Sequence, residues 1–534
     1  MIIRESELKT GLPKKTTSIC PECGKTVEAT IREKDGKVVM EKTCKAHGFF
    51  DDVVWTNVKK YLQVEQFIFD GIGVENPKLK ESRCPDNCGL CPAHISHCAL
   101  AILDLTNRCD LKCPICFANA NAAGYVYEPT FEQVVDMMKM LRAQLPVPVK
   151  AIQFSGGEPT LYPRFIDVLK KAKELGFAQI QAASNGLNFS KSQEFVDECH
   201  ASGLHTVYLQ FDGMKDEVYL QARGRSLLDI KKKAVEHFVN SKTGPVSTVL
   251  VPTLVKTIND DQIGPILNFA IKNNKAVRGV NYQPVSFSGR ITKEDRQKQR
   301  FTITDLIQDL IDATGGALDW DDFFPPPFVA PISELVSALK GTPQMAFTNH
   351  PHCGVATFCY IDKNDKLVPV TKFIDAPGMM KEMMRLSDKA GGTGMQVALK
   401  LVRAAGKLKS KESRNKSLAK QFDKYLGKYV KEDQMPPGLN IQDMINSLLV
   451  QGDKKSVGAF TWKTLYIGGM HFQDAYNYDV ERLKRCNIHY PTPDGRLIPF
   501  CAYNTGHVYR TEVEKKFSVP LSEWKDSKVA KGAK

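Results

Sequence analysis

Cysteine is the residue type whose spacing points most directly to chemistry in this chain of 534 residues. Of its 15 cysteines, only Cys199 stands apart from a group. Thiols stay reduced inside cells, so closely spaced cysteines indicate metal or iron–sulfur ligation more often than disulfides. The remaining cysteines form four groups, and each group predicts its own ligand set.

The first group, near the N-terminus, consists of two knuckles of paired ligands: Cys20 with Cys23, and Cys44 with His47. Three sulfurs and one nitrogen at this spacing are typical of a closed tetrahedral site. Predicted strands 27–31 and 37–42, joined across an Asp-Gly turn, complete a small ribbon. A ribbon of this size cannot bury a core alone, so we expect one zinc or iron ion to staple it.

The second and fourth groups suit auxiliary iron–sulfur cubanes, which take four thiolates from irregular loops. The second group comprises Cys84, Cys88, Cys91 and Cys98. A zinc knuckle is its alternative, because a C-x2-C pair also occurs in zinc sites. The fourth group rests on count and leftover pairing, with structural thiols as its alternative. It comprises Cys353, Cys359, Cys486 and Cys501.

The third group follows a short apolar strand and has the spacing C-x3-C-x2-C. Cys109, Cys113 and Cys116 supply three thiolates for a [4Fe–4S] cluster, which leaves one iron open. A cluster with an open iron can bind a substrate or cofactor, whereas a closed cluster can only pass electrons. These three cysteines are therefore the predicted catalytic residues, and the chain is expected to hold three [4Fe–4S] clusters in all.

Strands and helices alternate after the third group. The predicted strands are 100–105, 149–154, 180–183, 206–211, 246–254 and 279–285, and the predicted helices are 165–175, 190–202, 228–240 and 263–273. Repeated βα units with apolar strands predict an α/β fold with a parallel sheet. Around six units fit, which predicts a partial (β/α)6 barrel of the TIM type. Such barrels place their chemistry at the C-terminal ends of the strands.

The third cysteine group resembles the signature of the radical S-adenosylmethionine (SAM) superfamily, with Phe117 as the aromatic residue beside the last cysteine. This resemblance implies that the open iron chelates the amino and carboxylate groups of SAM. It also assigns the Gly-Gly-Glu-Pro element after the next strand to the SAM amino group. The expected cofactor-binding residues are Phe117, Gly156, Gly157, Glu158, Pro159, Ser184, Asn185, Gln210, Asp212 and Arg223. A simple Asn-Gly turn is the alternative at Asn185, and a solvated charge is the alternative at Arg223.

The chain as a whole is similar to the archaeal tetraether lipid synthase family, formerly interpreted as radical SAM methylases of the methanopterin pathway. The similar segments are Cys20–His47, Cys84–Cys98, Tyr208–Gly213, Thr357–Tyr360 and Cys486–Cys501. The resemblance implies hydrogen abstraction by a 5′-deoxyadenosyl radical and carbon–carbon coupling of terminal methyls of archaeal phytanyl chains. The product would be a tetraether or macrocyclic membrane lipid.

Charge and hydropathy bear on the partners. With 73 Lys and Arg against 60 Asp and Glu, the net charge of +13 favours an anionic partner. A basic segment at 397–431 reads as an amphipathic helix that could lie on an anionic membrane, or as a solvated or RNA-facing helix. No apolar run is long enough to span a bilayer and no signal peptide is evident, so we expect a cytoplasmic protein, peripheral on the inner membrane face.

The expected partners are an archaeal phospholipid substrate and a low-potential electron donor such as a ferredoxin. We find no dedicated nucleic-acid module, and the oligomeric state is open. The expected domains are a rubredoxin-like or zinc-ribbon-like unit at 1–60, an auxiliary-cluster segment at 61–98, the barrel at 99–320 and a C-terminal substrate and auxiliary-cluster domain at 321–534. Alternatives to lipid coupling are methylation of a pterin or other soluble substrate, RNA modification, and plain electron transfer.

Replacing Cys109 tests the catalytic assignment. We expect Cys109→Ala to abolish SAM cleavage, because two thiolates hold a four-iron cluster poorly, while the other groups keep their iron. Anaerobic assays of 5′-deoxyadenosine formation and iron content measure both effects. Cys199→Ala is the matched control, and 5′-deoxyadenosine formation retained by Cys109→Ala would contradict the assignment.

Overall fold

We analysed a computed structural model, which describes residues 1–77, 79, 81, 84–391, 425–437, 439, 464–505 and 509–525. The first part of the predicted basic segment, 397–424, lies outside the described residues. The described chain contains a four-stranded antiparallel sheet and a larger 12-stranded sheet that matter for function.

The strands are β1 Ile3–Arg4, β2 Lys14–Ile19, β3 Thr26–Lys34, β4 Lys37–Cys44, β5 Gly48–Trp55, β6 Asp70–Gly71, β7 Leu100–Thr106, β8 Tyr125–Tyr127, β9 Ala151–Gly156, β10 Gln179–Ser184, β11 Thr206–Gln210, β12 Ser247–Val251, β13 Thr253–Leu254, β14 Val277–Pro284, β15 Gly354–Ile361, β16 Leu367–Pro369, β17 Thr464–Met470, β18 Ile488–Pro491, β19 Leu497–Pro499 and β20 Ser518–Pro520.

The helices are α1 Val58–Val64, α2 Phe131–Arg142, α3 Phe165–Glu174, α4 Leu187–Lys191, α5 Gln193–Ala201, α6 Asp216–Arg223, α7 Leu228–Val239, α8 Ile263–Lys272, α9 Arg296–Gln299, α10 Ile303–Ala313, α11 Ala330–Lys340, α12 Ala376–Gly391, α13 Val480–Lys484, α14 Phe500–Thr505 and α15 Tyr509–Lys516.

The N-terminal ribbon is the antiparallel sheet β2-β3-β4-β5. Its central hairpin turns at Asp35 and Gly36, whose φ angles of 51° and 72° suit the tight turn that an Asp-Gly pair favours. The expected hairpin is therefore confirmed. One knuckle follows β2 and the other ends β4, so the pairing of the strands brings both knuckles to the same end of the sheet.

The barrel is built from seven parallel strands in the order β17-β14-β12-β11-β10-β9-β7. Helices cover its outer face, where apolar side chains such as Phe154, Ala182 and Leu250 form the main core. The predicted α/β fold with a partial TIM-type barrel is confirmed. Its cause is the alternation of short apolar strands with amphipathic helices, which leaves each strand one face to bury under a helix.

Residues beyond 320 complete the same sheet. The parallel strand β17 and the antiparallel strands β15 and β16 extend it on one side, and β18 and β19 extend it on the other. The predicted C-terminal domain at 321–534 thus shares a sheet with the barrel, because the six early strands leave an edge whose backbone groups need partners.

The two sides of the curved sheet meet through side chains. Asn487, just before β18, donates to the carbonyl of His97 at 2.7 Å and accepts from the backbone of Thr348 at 2.9 Å. The Ser96 hydroxyl donates to the carbonyl of Thr348 at 3.0 Å. The segments that precede β7, β15 and β18 are therefore packed together, and each of them carries a cysteine.

The ribbon docks on the barrel through a buried ion-pair network. Arg300 lies between Asp52 of β5 and Asp474 of the loop after β17, and its Nη1 donates to the Asp474 carboxylate at 2.8 Å. Lys42 of β4 donates to the carbonyl of Ala475 at 2.5 Å. Arg300 lowers the pKa of Asp474 to about 2, against the burial that would raise it. The ribbon is thus held by charges that must remain paired.

Removing Arg300 should uncouple the ribbon from the barrel. Arg300→Met leaves two buried carboxylates without their shared partner, so we expect the free energy of unfolding to fall by about 3–5 kcal/mol. Denaturant unfolding of the metal-loaded protein measures the change. The control is Lys298→Met, two residues away and exposed, which should change stability by less than about 0.5 kcal/mol. Equal stability of both variants would contradict this account of the docking.

Candidate active site and metal centres

The four predicted ligands of the ribbon converge on one point. The potential ligand atoms of Cys20, Cys23, Cys44 and His47 all lie within 4.8 Å of one another. His47 Nδ1 is 3.6 Å from the sulfurs of both Cys20 and Cys44. Separations of this size join ligands about 2.0–2.3 Å from a shared tetrahedral zinc ion. A backbone hydrogen bond from Ala46, with one from His47, lowers the pKa of Cys44 to about 6, which favours the thiolate that a metal needs.

The cysteines of the third group share a loop and a hydrophobic pocket. Cys109, Cys113 and Cys116 all pack in one cluster with Leu111 and Leu187, beyond the C-terminal end of β7. Burial raises the pKa of Cys109 to about 12 and raises that of Cys113. Three thiols gathered in one shielded pocket fit the ligation of an open-site cluster, whose iron would supply the charge that keeps them ionised.

Two polar side chains fix the path of this loop. Asn121 accepts from the backbone of Cys109 at 3.0 Å and donates to its carbonyl at 2.7 Å. Arg290 donates through Nε to the carbonyl of Cys113 at 2.6 Å, and its backbone pairs with that of Cys116 in both directions at 2.9 Å. Each cysteine is therefore held through its own backbone before any metal binds.

The glycines of the Gly-Gly-Glu-Pro element serve a tight contact between strands. A Cβ at Gly156 would lie 2.1 Å from the carbonyl oxygen of Thr106, and one at Gly157 would lie 2.2 Å from that of Arg108. The backbone of Gly157 donates to Thr106 at 2.7 Å. The neighbour that requires glycine here is thus the chain leading into the cysteine loop, and contact of these glycines with SAM stays a prediction.

Glu158 acts through other residues. It is fully buried, and its carboxylate accepts from the hydroxyls of Thr160 at 2.7 Å and Ser184 at 2.9 Å and from the backbone of Asn185 at 2.8 Å. The Asn185 amide in turn donates to the Asp110 carboxylate at 2.6 Å. Burial raises the pKa of Glu158. Predicted residues Glu158, Ser184 and Asn185 therefore form one chain of contacts that ends beside Cys109.

Asp212 and Arg223 are paired with each other. The guanidinium of Arg223 donates to both carboxylate oxygens of Asp212 at 2.7 Å, and its Nη1 donates to the carbonyl of Ile115 at 2.8 Å. Arg223 thus braces the loop between Cys113 and Cys116. Its Nη2 also donates to the Thr253 hydroxyl at 3.1 Å, so four of its five N–H donors are used here, and binding of SAM by Arg223 stays a prediction.

The other predicted residues lie around this assembly. Pro159 begins the turn after β9. Phe117 is 42% exposed, with its ring 6.0 Å from that of Phe500. The side-chain oxygen of Gln210 accepts from the amine of Lys231 at 3.0 Å.

Lys231 is a site residue that sequence reasoning missed. Its side chain is completely buried, and its amine also donates to the carbonyl of Asn185. Burial lowers its pKa to about 8. The helical period offered a signal, because Lys231 shares a face of α7 with the buried residues Ala234, Val235 and Phe238.

Three cysteines of the second group come together, and Cys98 lies elsewhere. The thiol of Cys84 is in hydrogen-bond contact with those of Cys88 and Cys91, and its pKa is raised to about 11. Cys98 sits in the main core just before β7, where its thiol accepts from the backbone of His489. The structure therefore supplies three thiols here where the spacing predicted four.

The fourth group divides in the same way. Burial and the nearby Cys501 and Cys353 raise the pKa of Cys486, burial and Cys353 raise that of Cys501, and Arg482 donates to Cys353, so these three cysteines lie close together. Cys359 is six residues along the extended β15, a distance of about 20 Å at the rise of a strand. Its buried thiol accepts from Thr357. The structure does not bring Cys359 to the other three, because leftover pairing carries no information about distance.

The two triads of thiols are neighbours. Tyr478 packs in one hydrophobic cluster with Cys84 and Cys88 from one triad and with Cys486 and Cys501 from the other. A pair of closely spaced metal centres beside the barrel would fit these six cysteines.

Among the described residues, the helices are too short or too polar to span a lipid bilayer.

Comparison with known proteins places these features in a family context. Residues 103–270 match the family described as Radical SAM superfamily, and residues 12–56 match the HMPTM N-terminal zinc ribbon domain. SAM and a [4Fe–4S] cluster are the cofactors that the first match implies, and the second fits the metal site of the ribbon. The cofactors predicted from the cysteine spacing agree with both.

One relative matches the chain along nearly its whole length. The 7,8-dihydro-6-hydroxymethylpterin dimethyltransferase of Methanocaldococcus jannaschii is 43% identical over 517 residues, which cover 96% of this chain and 97% of that protein. The GTP 3′,8-cyclase of Limosilactobacillus fermentum is 24% identical over 40% of this chain and 61% of its own. Streptococcus suis SuiB bound to S-adenosylmethionine aligns with a TM-score of 0.32 and 16% identity, over 41% of this chain and 48% of its own.

The division of the fourth group is testable by iron content. We expect Cys501→Ser to lose close to one cluster of iron, since it removes a thiol from a triad. Cys359→Ser should keep the iron content of the unaltered protein, because that thiol lies in the main core, away from the triad. Iron analysis of anaerobically reconstituted protein makes the comparison, and equal losses in the two variants would contradict the grouping.

Proposed function

Because the chain belongs to the radical SAM family that includes the pterin dimethyltransferase of M. jannaschii, we propose that it is a radical SAM methyltransferase acting on a reduced pterin. The observation that carries the proposal is the extent of the 43% identity, which takes in 96% of the chain. A match confined to the barrel would support only the shared radical SAM chemistry. This one also includes the ribbon and the strands beyond 320.

The expectation of lipid coupling is wrong. It rested on a resemblance to tetraether lipid synthases, and the relative that matches along nearly the whole chain carries the name of a pterin enzyme. The phospholipid substrate and the membrane surface, expected with it as partners, lose their support as well. The cysteine motifs misled because they specify the cofactor, whereas no short motif specifies the substrate.

The chain itself would contribute position and shielding. When bound, an open-site cluster with SAM supplies the one-electron chemistry that removes a hydrogen atom from an unactivated carbon. The residues that would hold the cluster are Cys109, Cys113 and Cys116, and Asn121, Arg223 and Arg290 orient their loop through its carbonyls and amides.

We further propose that the two thiol triads hold auxiliary clusters, and that a low-potential donor such as a ferredoxin supplies electrons. The proximity of the thiols supports the first point. Cys486 and Cys501 share a hydrophobic cluster with Cys84 and Cys88, and bound iron would supply the positive charge that these buried thiols need in order to ionise.

The proposal is tested by offering the pterin to the reconstituted enzyme. Under anaerobic conditions with a strong reductant, SAM and a methyl donor, either excess SAM or a reduced one-carbon carrier, we expect 7,8-dihydro-6-hydroxymethylpterin to gain the mass of one CH2 unit for each methyl added. Mass spectrometry detects the product, and Cys109→Ala is the inactive control. Formation of 5′-deoxyadenosine with the pterin unchanged would contradict the assignment of the substrate and leave the radical SAM chemistry in place.

A further inference from the structure

The inner face of the barrel carries amide side chains. Successive side chains of a strand point to opposite faces of the sheet. On β9 and β10 the residues Ile152, Phe154, Ile180 and Ala182 pack in the helix-covered core. Gln153 on β9 and Gln181 on β10 lie between these core residues. Asn281 on β14 lies in the same way between the core residues Val280 and Tyr282. These three amides therefore face the lumen.

The oxygens of these amides have no partner within the described chain. Gln153 Oε1, Gln181 Oε1 and Asn281 Oδ1 are all buried without a hydrogen bond. The lumen carboxylate of Asp104 on β7 is in a similar position, since Arg510 donates to its Oδ2 at 2.7 Å and its Oδ1 is unpaired. A buried acceptor left unpaired costs about 1–3 kcal/mol, so four of them on one face indicate a site that a donor-bearing molecule completes.

Three of these acceptors come from adjacent strands. Gln153 and Gln181 are register partners on β9 and β10, and Gln153 is also the partner of Ile102, two residues before Asp104 on β7. Gln153 and Gln181 each lie three residues before the C-terminal end of their strand, which is about 10 Å. These acceptors thus lie about 10 Å beneath the turns that contact the cysteine loop, a depth close to the length of a small molecule.

An aromatic ring lies on the strand next to that of Asn281, four and five strands away from those of Gln181 and Gln153. Tyr466 of β17 belongs to the same face, because its neighbours Leu465 and Ile467 are in the main core. A Cβ at Gly468 would lie 2.3 Å from the hydroxyl of Tyr466, so glycine at this position makes room for the ring. The ring of Phe358 is 5.6 Å away. The lumen therefore combines a wall of hydrogen-bond acceptors with a wall on which a flat ring can stack.

We infer that this face binds the substrate as a flat heterocycle rich in N–H donors, the class to which a reduced pterin belongs. The ring N–H and amino hydrogens of the heterocycle are donated to Gln153, Gln181, Asn281 and Asp104, and its face packs near Tyr466. The inference rests on the proposed function, because it places the pterin in the barrel. A hydrocarbon chain has no donors and would leave the same oxygens unpaired.

Equilibrium binding of 7,8-dihydro-6-hydroxymethylpterin to the reconstituted holoenzyme tests the inference, with quenching of pterin fluorescence as the readout. We expect Gln181→Leu to raise the dissociation constant about tenfold, the equivalent of one hydrogen bond of about 1.4 kcal/mol. The double variant Gln153→Leu with Gln181→Leu should raise it about a hundredfold.

The matched control lies on the same strand. Gln179 of β10 already uses its amide nitrogen to donate to Thr206 at 3.1 Å, at the far end of the barrel, so Gln179→Leu should leave the dissociation constant unchanged. Gln181→Glu keeps two acceptor oxygens and should stay within about threefold of the unaltered protein. Retained binding in this variant separates a lost acceptor from a misfolded barrel.

The outcomes separate the two proposals. Suppose that the unaltered holoenzyme binds the pterin and that the dissociation constant of the double variant is within about twofold of its value. This result would overturn the lumen site and leave the proposed function standing. Equal weakening by Gln179→Leu and Gln181→Leu would overturn it too, because packing would then explain both. Absence of any binding to the unaltered holoenzyme would overturn the proposed function and this site with it.

Discussion

A single buried carboxylate joins the parts of the molecule on which its chemistry depends. Glu158, in the turn after β9, accepts hydrogen bonds from Thr160 of the same turn and from Ser184 and Asn185 at the end of the neighbouring β10, and through Asn185 it reaches Asp110 in the cysteine loop. Because the carboxylate is wholly buried, each of those donors is needed to offset its loss of water. The strand ends, the turn after β9 and the cysteine loop must therefore take up their positions together. Arg223 and Arg290 also hold this loop, through the carbonyls of Ile115 and Cys113.

Much of the fold could be predicted because its causes are local. The hairpin at Asp35-Gly36 follows from turn chemistry, the ribbon site from paired ligands at fixed spacing, and the barrel from apolar strands at regular intervals along the chain. It was harder to predict which residues that are distant in the sequence lie close together in the fold. Cys98 was grouped by spacing and Cys359 by count, yet one lies in the core before β7 and the other in mid-strand, where neighbouring β-structure fixes each thiol away from its expected partners.

The roles of the predicted site residues show a second limit. Glycines, carboxylates and an arginine at strand ends indicated a cofactor site, and the structure uses several of them to hold the loop that would carry the cofactor. Motif position marks where a site is, but the partner of each side chain is set by contacts between distant segments, as between Asp212 and Arg223. The prediction of the substrate was wrong for a related reason. The residues that face the lumen are separated by whole βα units and form no motif.

The docking of the ribbon has a consequence for how the protein is assembled. Asp474 pairs with Arg300, which also pairs with the ribbon, and it lies in the short loop that leads to α13. The backbone N–H of the neighbouring Gln473 donates to the sulfur of Cys501 at 3.4 Å. Ribbon side chains such as Ile31 and Met40 pack in the main core that the ribbon shares with the barrel, and small metal-stapled ribbons owe much of their stability to the bound ion. We therefore expect metal entry at the N-terminus to favour iron–sulfur insertion near the C-terminus, which would give the metal centres an order of maturation.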